Sequence, residues 1–210
     1  MFNGLIREIA TVYSLSAHEL RLKSKFRPEA IGDSIAVNGA CLSATAIYDD
    51  GFSVRLSSES VEHLAMINYK AKSRVHIEPA MRLGERIDGH LMQGHIDAIG
   101  KISKIVKRES GSDFYIDLPQ YALPLVAHKG SIGVDGVSLT ISEITATGVR
   151  LSIIPITLKD TLFGEYTVGR KVNIETDLLA RYIQRQIEFK SQTNQKEEQW
   201  RQIELALRMY

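Results

Sequence analysis

The sequence is poor in the residues that mark several common protein classes. Its 210 residues include a single cysteine, Cys41, so a framework of disulfides within the chain is excluded. No apolar run approaches the roughly 20 residues that a membrane-spanning helix needs. The N-terminus carries no basic segment followed by an apolar signal run. We therefore expect a cytoplasmic protein with no membrane partner.

The sequence also lacks an excess of charge of one sign. Its 26 basic residues oppose 25 acidic ones, for a net charge of +1, so there is no global field to recruit nucleic acid. Apolar residues make up 44% of the chain and charged residues 24%, which is typical of globular proteins and not of disordered ones. The length suits one large domain or two small ones.

The histidines form no pattern typical of a metal site. We interpret the segment around His90 and His95 as a strand, in which a spacing of five places the two side chains on opposite faces. The other histidines are scattered along the chain, at His18, His63, His76 and His128. The glycines of 130–136 have neither the dinucleotide-binding spacing nor a following helix. We expect neither a metal nor a phosphate-binding loop.

The chain contains an internal duplication. Three pairs of segments align in the same order, namely 1–10 with 91–100, 34–43 with 131–140, and 73–78 with 170–175. The last two pairs share an offset of 97, and the first has an offset of 90. Such ordered self-similarity indicates two copies of one domain.

Each copy has the pattern of short strands. Apolar and polar residues alternate in several stretches, such as 34–47 and 131–144. Asn38-Gly39 and Asp135-Gly136 predict tight turns, because glycine tolerates a positive φ. Closing the sheet removes its exposed edges. We therefore expect a small all-β barrel from each copy.

A helix is predicted after the second copy. Apolar residues at helical spacing follow the capping candidates Thr176 and Asp177, namely Leu178, Leu179, Tyr182, Ile183 and Ile187. We expect the polar stretch 191–199 to be loose, and we expect Trp200, Ile203 and Leu207 to form a second short helix. The apolar stripe has two possible partners: the chain's own barrels, or the same helix in a neighbouring chain.

Matching positions of the two copies carry different polar groups. Cys41 corresponds to Ser138, Ser43 to Thr140, Asn38 to Asp135, Leu5 to His95, and Ser60 to Thr157. Cys41 and Ser43 share one strand face, as do Ser138 and Thr140. Packing or local hydrogen bonding explains any one of these residues equally well. Their gathering at matched positions favours a ligand-binding wall in each copy.

Several motifs in family order resemble the riboflavin synthases of the α-chain type. They are Met1-Phe2-x-Gly4-Leu5-Ile6, Asn38-Gly39-x-Cys41-Leu42, Gly89-His90-Leu-Met-x-Gly94-His95-Ile96, Lys129-Gly130-Ser-Ile-Gly-Val-Asp135-Gly-Val-Ser138-Leu139-Thr140 and Ile154-Pro155-x-Thr157-Leu158. The resemblance extends over residues 1–185. Four positions depart from the usual pattern of the family. Asn3, Ser43 and Ser60 stand where Thr is usual, and Asp88 stands where Gly is common.

The resemblance implies two tandem six-stranded Greek-key barrels and a C-terminal helix that forms a homotrimer. On this basis 1–89 is the N-terminal lumazine-binding barrel, 90–176 the C-terminal one, and 177–210 the helix and tail. Two molecules of 6,7-dimethyl-8-ribityllumazine would react without cofactor or metal, one giving a four-carbon unit to the other. The products would be riboflavin and 5-amino-6-ribitylaminouracil. In the family the active site lies between the N-barrel of one subunit and the C-barrel of its neighbour. An association with lumazine synthase stays open.

The same resemblance suggests roles for the unlike pairs. His95 is the candidate proton carrier, since histidine titrates near neutrality. Ser138, Thr140 and Asp135 would bind one ring and assist its deprotonation. Cys41 and Ser43 would line the acceptor site, with Cys41 or a water it positions as a transient nucleophile.

The remaining predicted contacts surround the rings and the ribityl chains. Gly4 to Ile6 and the pair Glu59-Ser60 would hold the remaining ring and ribityl edges, the segment 154–157 would supply their counterparts, and Lys129 would act across the subunit boundary. Besides Cys41, Ser43, His95, Ser138 and Thr140, the predicted substrate contacts are Gly4, Leu5, Ile6, Leu42, Glu59, Ser60, Gly94, Ile96, Lys129, Leu139, Ile154, Pro155, Ile156, Thr157, Leu158 and Lys159.

Two alternatives stay open at this point. A non-catalytic relative similar to lumazine protein would bind a lumazine or flavin and lose polar groups from its second copy. This chain keeps five such groups, namely His95, Asp135, Ser138, Thr140 and Thr157. A flavin-binding barrel of the ferredoxin-reductase type would need an Arg-x-Tyr-Ser/Thr signature, and Arg55-Leu-Ser-Ser lacks the tyrosine. The enzyme is therefore favoured.

Overall fold

The computed structural model describes residues 1–207, and the side chains of residues 1–192. Within that range two closed six-stranded antiparallel barrels are followed by one long helix. The predicted all-β architecture with a C-terminal helix is confirmed.

The first barrel, here called the N-barrel, has strands in the order β1-β2-β5-β4-β3-β6, and β6 pairs with β1 to close it. Its strands are β1 Glu8–Leu15, β2 Glu19–Lys23, β3 Ser34–Val37, β4 Ala40–Tyr48, β5 Gly51–Arg55 and β6 Arg74–Pro79. Helix α1, Ser58–His63, and a 3-10 turn, Met66–Tyr69, connect β5 to β6.

The second barrel, the C-barrel, repeats the same order as β7-β8-β11-β10-β9-β12, closed by pairing of β12 with β7. Its strands are β7 Ala98–Arg108, β8 Gly111–Asp117, β9 Ser131–Val134, β10 Val137–Ile144, β11 Gly148–Ile153 and β12 Lys171–Thr176. Helix α2, Pro155–Asp160, takes the place of α1, and 3-10 turns cover Gln120–Leu125 and Leu162–Glu165. The matching strand orders confirm the duplication.

Alternate strand residues fill the barrel interiors, as a period of two requires. In β4, Leu42 and Ala44 are buried in the N-barrel core, while Ser43 between them is exposed. The C-barrel has its own aliphatic core around Ile102 and Ile141. Each barrel therefore buries a separate hydrophobic core, and polar groups on the outer strand faces remain available for other contacts.

The two barrels meet at their equivalent tight turns. A Cβ on Gly39 would lie 2.7 Å from the backbone nitrogen of Gly136, and a Cβ on Gly136 would lie 2.7 Å from that of Gly39. Both glycines also have φ above +80°, where side chains are disfavoured. The Asn-Gly and Asp-Gly turns predicted from sequence therefore serve a second purpose, because only glycine permits this approach of the two barrels.

Two unlike residues at matched positions join the barrels by equivalent hydrogen bonds. His76 on β6 contacts the carbonyl of Asp135 through Nδ1 at 2.8 Å, and its Nε2 accepts from the amide of Leu162. Its counterpart Asn173 on β12 donates through Nδ2 to the carbonyl of Asn38 at 2.9 Å, and its Oδ1 accepts from an amide of the N-barrel. The imidazole of His76 and the carboxamide of Asn173 thus form equivalent pairs of hydrogen bonds.

The segments that precede each barrel cross to the opposite barrel. We call residues 1–7 the first arm and residues 91–97 the second arm. They pair with each other through an antiparallel bridge between Phe2 and Met92. Ile6 of the first arm packs on the C-barrel core, and Ile96 of the second arm packs on the N-barrel core. Each barrel is therefore completed by the arm that belongs, in sequence, to the other copy.

The C-terminal segment differs from its prediction. Helix α3 is continuous over Leu178–Leu207, so a loose stretch at 191–199 followed by a separate helix is wrong. The stretch has no proline or glycine and is rich in Gln, Glu and Lys, which are good helix formers even where no apolar stripe marks them. Asp177 caps the start, accepting from the amide of Leu179 at 2.9 Å. Among the described helices, none is long and apolar enough to cross a membrane.

Candidate active site

A cavity of about 420 Å³ lies on the N-barrel, where β4, α1 and the second arm converge. We call it the N-pocket. Six residues predicted from sequence line it: Cys41, Glu59, Ser60, Gly94, His95 and Ile96. Ala40, Ser57, His63 and Leu64 complete the lining. The structure thus brings together polar groups from three separate parts of the sequence.

The floor of the N-pocket is formed by the close contact between the second arm and β4. The amide of Cys41 donates to the carbonyl of Gly94 at 2.8 Å. A Cβ on Gly94 would lie 2.5 Å from the Cβ of Cys41, and the φ of +78° at Gly94 disfavours a side chain independently. Glycine is therefore required at 94, and the half-buried Cys41 and the exposed His95 both line the cavity.

Helix α1 supplies the other wall of the N-pocket. Ser57 caps it, because its Oγ accepts from the amide of Ser60 at 3.0 Å and lies 2.8 Å from the Ser60 hydroxyl. Glu59 and Ser60 occupy its first turn, and His63 follows one turn later. Sequence reasoning missed Ser57 and His63. Ser57 and His63 each lie three residues from Ser60. This spacing indicates a shared face, but only if the segment is recognised as a helix.

The predicted contact of Leu42 with substrate is corrected by the strand geometry. Leu42 is buried in the N-barrel core, since its side chain points to the face opposite Cys41 and Ser43. Its counterpart Leu139 is half-buried and packs on the C-barrel core. For Leu42, only the backbone is left to contact a ligand on the outer face.

The C-barrel carries the equivalent arrangement with the first arm. The amide of Ser138 donates to the carbonyl of Gly4 at 2.9 Å, and a Cβ on Gly4 would lie 2.5 Å from the Cβ of Ser138. Gly4 to Ile6 therefore lie with the C-barrel, whereas Glu59 and Ser60 line the N-pocket. These two groups of predicted contacts therefore lie on different barrels, because the arms cross between the barrels.

The other predicted residues of the C-barrel lie around β10 and α2. Thr140 is exposed on β10, two residues beyond Ser138. Ile154 is the exposed N-cap of helix α2. The helix bears five predicted residues, all exposed or half-buried: Pro155, Ile156, Thr157, Leu158 and Lys159. Lys129 is exposed ahead of β9, and its amide donates to the carbonyl of Ile141.

A histidine–serine pair distinguishes the C-barrel site. Nδ1 of His90 lies 2.7 Å from Oγ of Ser138. Burial lowers the pKa of His90, and the nearby Asp177 carboxylate opposes that shift. Its Nε2 is buried without a hydrogen-bond partner among the described residues. A neutral imidazole with one free ring nitrogen can therefore accept or relay a proton beside Ser138.

The sequence pattern indicates no proton-transfer role for His90, which is part of a family motif and was considered as a metal ligand alone. The strand assumed around His90 and His95 is wrong, since both lie outside regular structure and the only pairing of this segment is the Phe2–Met92 bridge. Within the described residues, no group of three or more His, Cys, Asp and Glu side chains could hold a metal ion.

Asp135 does not face either site. Its side chain is fully buried, with Oδ1 accepting from the amide of Asn173 at 2.8 Å and Oδ2 from the hydroxyl of Tyr166 at 2.6 Å. Burial raises the pKa of Asp135, and Arg170, 3.7 Å from its Oδ2, partly offsets the rise. The predicted catalytic role is corrected to a structural one, because both carboxylate oxygens are engaged by buried groups of the C-barrel itself.

Comparison with known proteins agrees with this geometry. A family model described as "Lumazine binding domain" matches residues 3–80 and again 93–177, so each match contains one arm and one barrel. The chain is 39% identical over 194 residues to the riboflavin synthase of Bacillus subtilis (strain 168), covering 88% of this chain and 89% of the relative. It is 33% identical over 192 residues to the riboflavin synthase of Photobacterium phosphoreum, covering 88% of each.

Solved structures share the fold at lower identity. The crystal structure of LumP complexed with riboflavin superimposes with a TM-score of 0.74 and 21% identity, covering 84% of this chain and 99% of that one. The LumP complex with 6,7-dimethyl-8-(1'-D-ribityl) lumazine gives a TM-score of 0.73 at 20% identity, with the same coverage. With a lumazine-binding match on each barrel and relatives above 30% identity over most of both chains, the chain belongs to the riboflavin synthase family.

Proposed function

We propose that the protein converts two molecules of 6,7-dimethyl-8-ribityllumazine into one riboflavin and one 5-amino-6-ribitylaminouracil. Its membership in the riboflavin synthase family supports the reaction. The observation that carries the proposal is the pair of equivalent but chemically unlike sites. Each barrel presents the same backbone frame, an arm glycine against a strand, yet one frame holds Cys41 with His95 and the other Ser138 with His90.

Two such sites suit a reaction between two identical molecules. The donor loses a four-carbon unit and becomes the uracil, and the acceptor gains that unit and becomes riboflavin, so the atoms balance without a further reactant. The 7-methyl group of the lumazine is acidic because its carbanion delocalises into the ring. The protein's tasks are then to orient two rings and to move protons.

His90 and Ser138 fit the task of proton transfer at the C-barrel. Since burial keeps the imidazole neutral near pH 7, His90 can take a proton from the Ser138 hydroxyl or from a bound methyl group. In the N-pocket, His95 carries protons, and Cys41 or a water it positions adds transiently to the ring. Glu59, Ser60 and Thr157 serve as candidates to hold ribityl hydroxyls.

Replacing Ser138 by alanine tests the proposal against the alternative of a protein that binds lumazine without turning it over. We expect Ser138→Ala to lower kcat by roughly 100-fold or more with little change in thermal stability, because the Oγ contacts a half-buried histidine and no core side chain. The measurement is riboflavin absorbance with 6,7-dimethyl-8-ribityllumazine as the only substrate.

Ser142→Ala is the matched control, since it removes a serine hydroxyl from the same strand, four residues away from Ser138. It should leave kcat unchanged. Equal activity of Ser138→Ala and wild type would remove Ser138 from the mechanism. Binding of lumazine by the wild type without any riboflavin formation would overturn the enzyme in favour of the binding protein.

We also propose a homotrimer assembled through α3. Its first turns expose Leu179, Tyr182, Ile183 and Ile187. An apolar groove of about 450 Å³ lies between Ile183 and Ile187 on one side and the segment 124–127 on the other. An apolar face of this kind is typical of an interaction site. Assembly there would bring the N-pocket of one subunit towards the C-barrel of the next, as the family resemblance implies. A cytoplasmic location and an association with lumazine synthase stay predictions.

A further inference from the structure

The two arms are held by equivalent buried glutamates. Glu78 on β6 accepts from the amides of Asn3 and Gly4 at 2.7 and 3.0 Å. Glu175 on β12 accepts from the amides of Gln93 and Gly94 at 2.6 and 2.9 Å. Burial raises the pKa of each carboxyl to about 7, against the effect of these amides. Each carboxylate therefore fixes the turn of the arm glycine that lies against the opposite barrel.

The arms differ in how their glutamate is neutralised. The first arm carries its own cation, Arg7, which lowers the pKa of Glu78. The matching residue of the second arm is Asp97, which raises the pKa of Glu175 instead. The second arm thus places two carboxylates close together and supplies no cation for them. The cation comes from outside the duplicated unit, from α3.

Arg181, in the first turn of α3, is that cation. Its Nη1 lies 3.1 Å from Oδ1 of Asp97, and its Nη2 lies 3.0 Å from Oε1 of Gln93 and 3.6 Å from Oε1 of Glu175. Its side chain is 23% exposed, so solvent screens these contacts only in part. A planar guanidinium can span three acceptors in this way, whereas an ammonium is a single point charge.

Asp97 is itself fixed to the barrel on its other side. Its Oδ2 accepts from both the amide and the hydroxyl of Thr176 at 2.7 Å. Gln93 and Asp97 stand near the two ends of the second arm, so one arginine connects α3 to both. Between them, Gly94 lies directly on Cys41 and His95 lines the N-pocket. A continuous set of polar contacts therefore runs from α3 to the N-pocket.

We propose that Arg181 is a positioning residue through which α3 sets the geometry of the N-pocket. By holding the second arm, it places Gly94 against Cys41 and His95 in the lining of the N-pocket. For the C-barrel site the corresponding cation is Arg7, which belongs to the first arm itself. The consequence for turnover rests on the function proposed above, whereas the consequence for the N-pocket itself does not.

Cys41 provides the test, since it is the only cysteine of the chain and is partly covered by the second arm. In Arg181→Met, we expect the rate of Cys41 modification by a small aromatic disulfide reagent to rise roughly fivefold or more, because the arm opens locally more often. Arg181→Lys should give an intermediate rate, since the charge is kept and the three-way contact is lost.

Two matched variants control for the loss of an arginine. Arg185→Met removes an exposed arginine one turn further along α3, and Arg7→Met removes the cation of the first arm. Neither should change the rate of Cys41 modification. The Arg181→Met effect should persist in an Ile183→Glu background, in which assembly through α3 is blocked, because the contact lies within one chain. An unchanged rate in Arg181→Met, or an equal increase in Arg185→Met, would overturn the proposal.

Protection of Cys41 by ligand separates this inference from the proposed function. In wild type, 6,7-dimethyl-8-ribityllumazine should slow modification, and Arg181→Met should need a higher lumazine concentration for the same protection. If lumazine gives no protection in wild type while Arg181→Met still accelerates modification, the lumazine site is wrong and the positioning role of Arg181 stands. If lumazine protects both proteins at the same concentration, the link from Arg181 to the ligand is wrong.

Discussion

His76 shows how single residues adapt the duplicated frame. Its Nε2 accepts from the amide of Leu162, so the ring proton resides on Nδ1, which donates to the carbonyl of Asp135. A proton on Nε2 would face the amide N–H of Leu162, which is also a donor. Burial lowers the pKa of His76 to about 4. Between pH 6.5 and 4 the unfolded chain therefore binds more protons than the folded one, and stability falls as the pH falls.

Replacement of His76 by asparagine, the residue at the matching position 173, should remove this dependence. Wild type should lose about 2 kcal/mol from this group between pH 7 and pH 5, and His76→Asn should not. The measurement is the difference in denaturant unfolding free energy between the two proteins at each pH. In that difference the opposite linkage of Glu78 and Glu175 cancels. The exposed His18→Asn is the control, and a constant difference between pH 7 and pH 5 would contradict the assignment.

The residue types of the site were largely predictable, but their surroundings were not. The alternation in β4 and β10 indicates correctly that Cys41 and Ser138 lie on the outer faces. The same alternation should have removed Leu42 from the contacts. Asp135 was expected in the site but is buried against Tyr166, and His90, expected to have no role, lies beside Ser138. Both partners are distant in sequence, so no local pattern indicates them.

At the scale of the element, the arms decide which residues share a site. Gly94 and Gly84 both have positive φ, but only Gly94 lies against another chain segment, and Gly84 has open space around it. Gly84→Ala should cost about 1 kcal/mol or less, from backbone strain alone. Gly94→Ala adds a collision with Cys41 and should cost at least about 2 kcal/mol more.

Thermal or denaturant unfolding of the two alanine variants measures this difference directly. Gly94→Ala should also weaken lumazine binding in the N-pocket, whereas Gly84→Ala should not. Equal destabilisation by both substitutions would mean that the second arm can move away from Cys41 at little cost.

Elements with a strong local pattern were predictable, and elements defined by contact were not. The strand pairs around Asn38-Gly39 and Asp135-Gly136, and the start of α3, follow from turn residues and periodicity. The crossing of the arms has no local signature, because Gly4 and Gly94 occupy identical positions in their own copies. The length of α3 was underestimated since a polar helix shows no apolar period.

At the scale of the whole molecule, the proposed trimer makes the site depend on the apolar face of α3. Ile183→Glu places a charge on its exposed apolar face, beside the groove formed with segment 124–127. We expect this variant to sediment as a monomer, with both barrels folded and turnover reduced at least roughly 100-fold, because the two reacting rings are no longer held together. Arg185→Glu is the matched control. A monomeric variant with full activity would contradict a site shared between subunits.

The duplication predicts the stoichiometry of the reaction, because two barrels with two unlike sites suit two identical substrates. It is tested most directly by supplying purified wild-type protein with 6,7-dimethyl-8-ribityllumazine as the sole substrate and quantifying all three compounds by mass spectrometry. We expect two lumazines to be consumed for each riboflavin formed, with an equal amount of 5-amino-6-ribitylaminouracil. Lumazine bound but never consumed, or riboflavin formed without the uracil, would contradict the assignment.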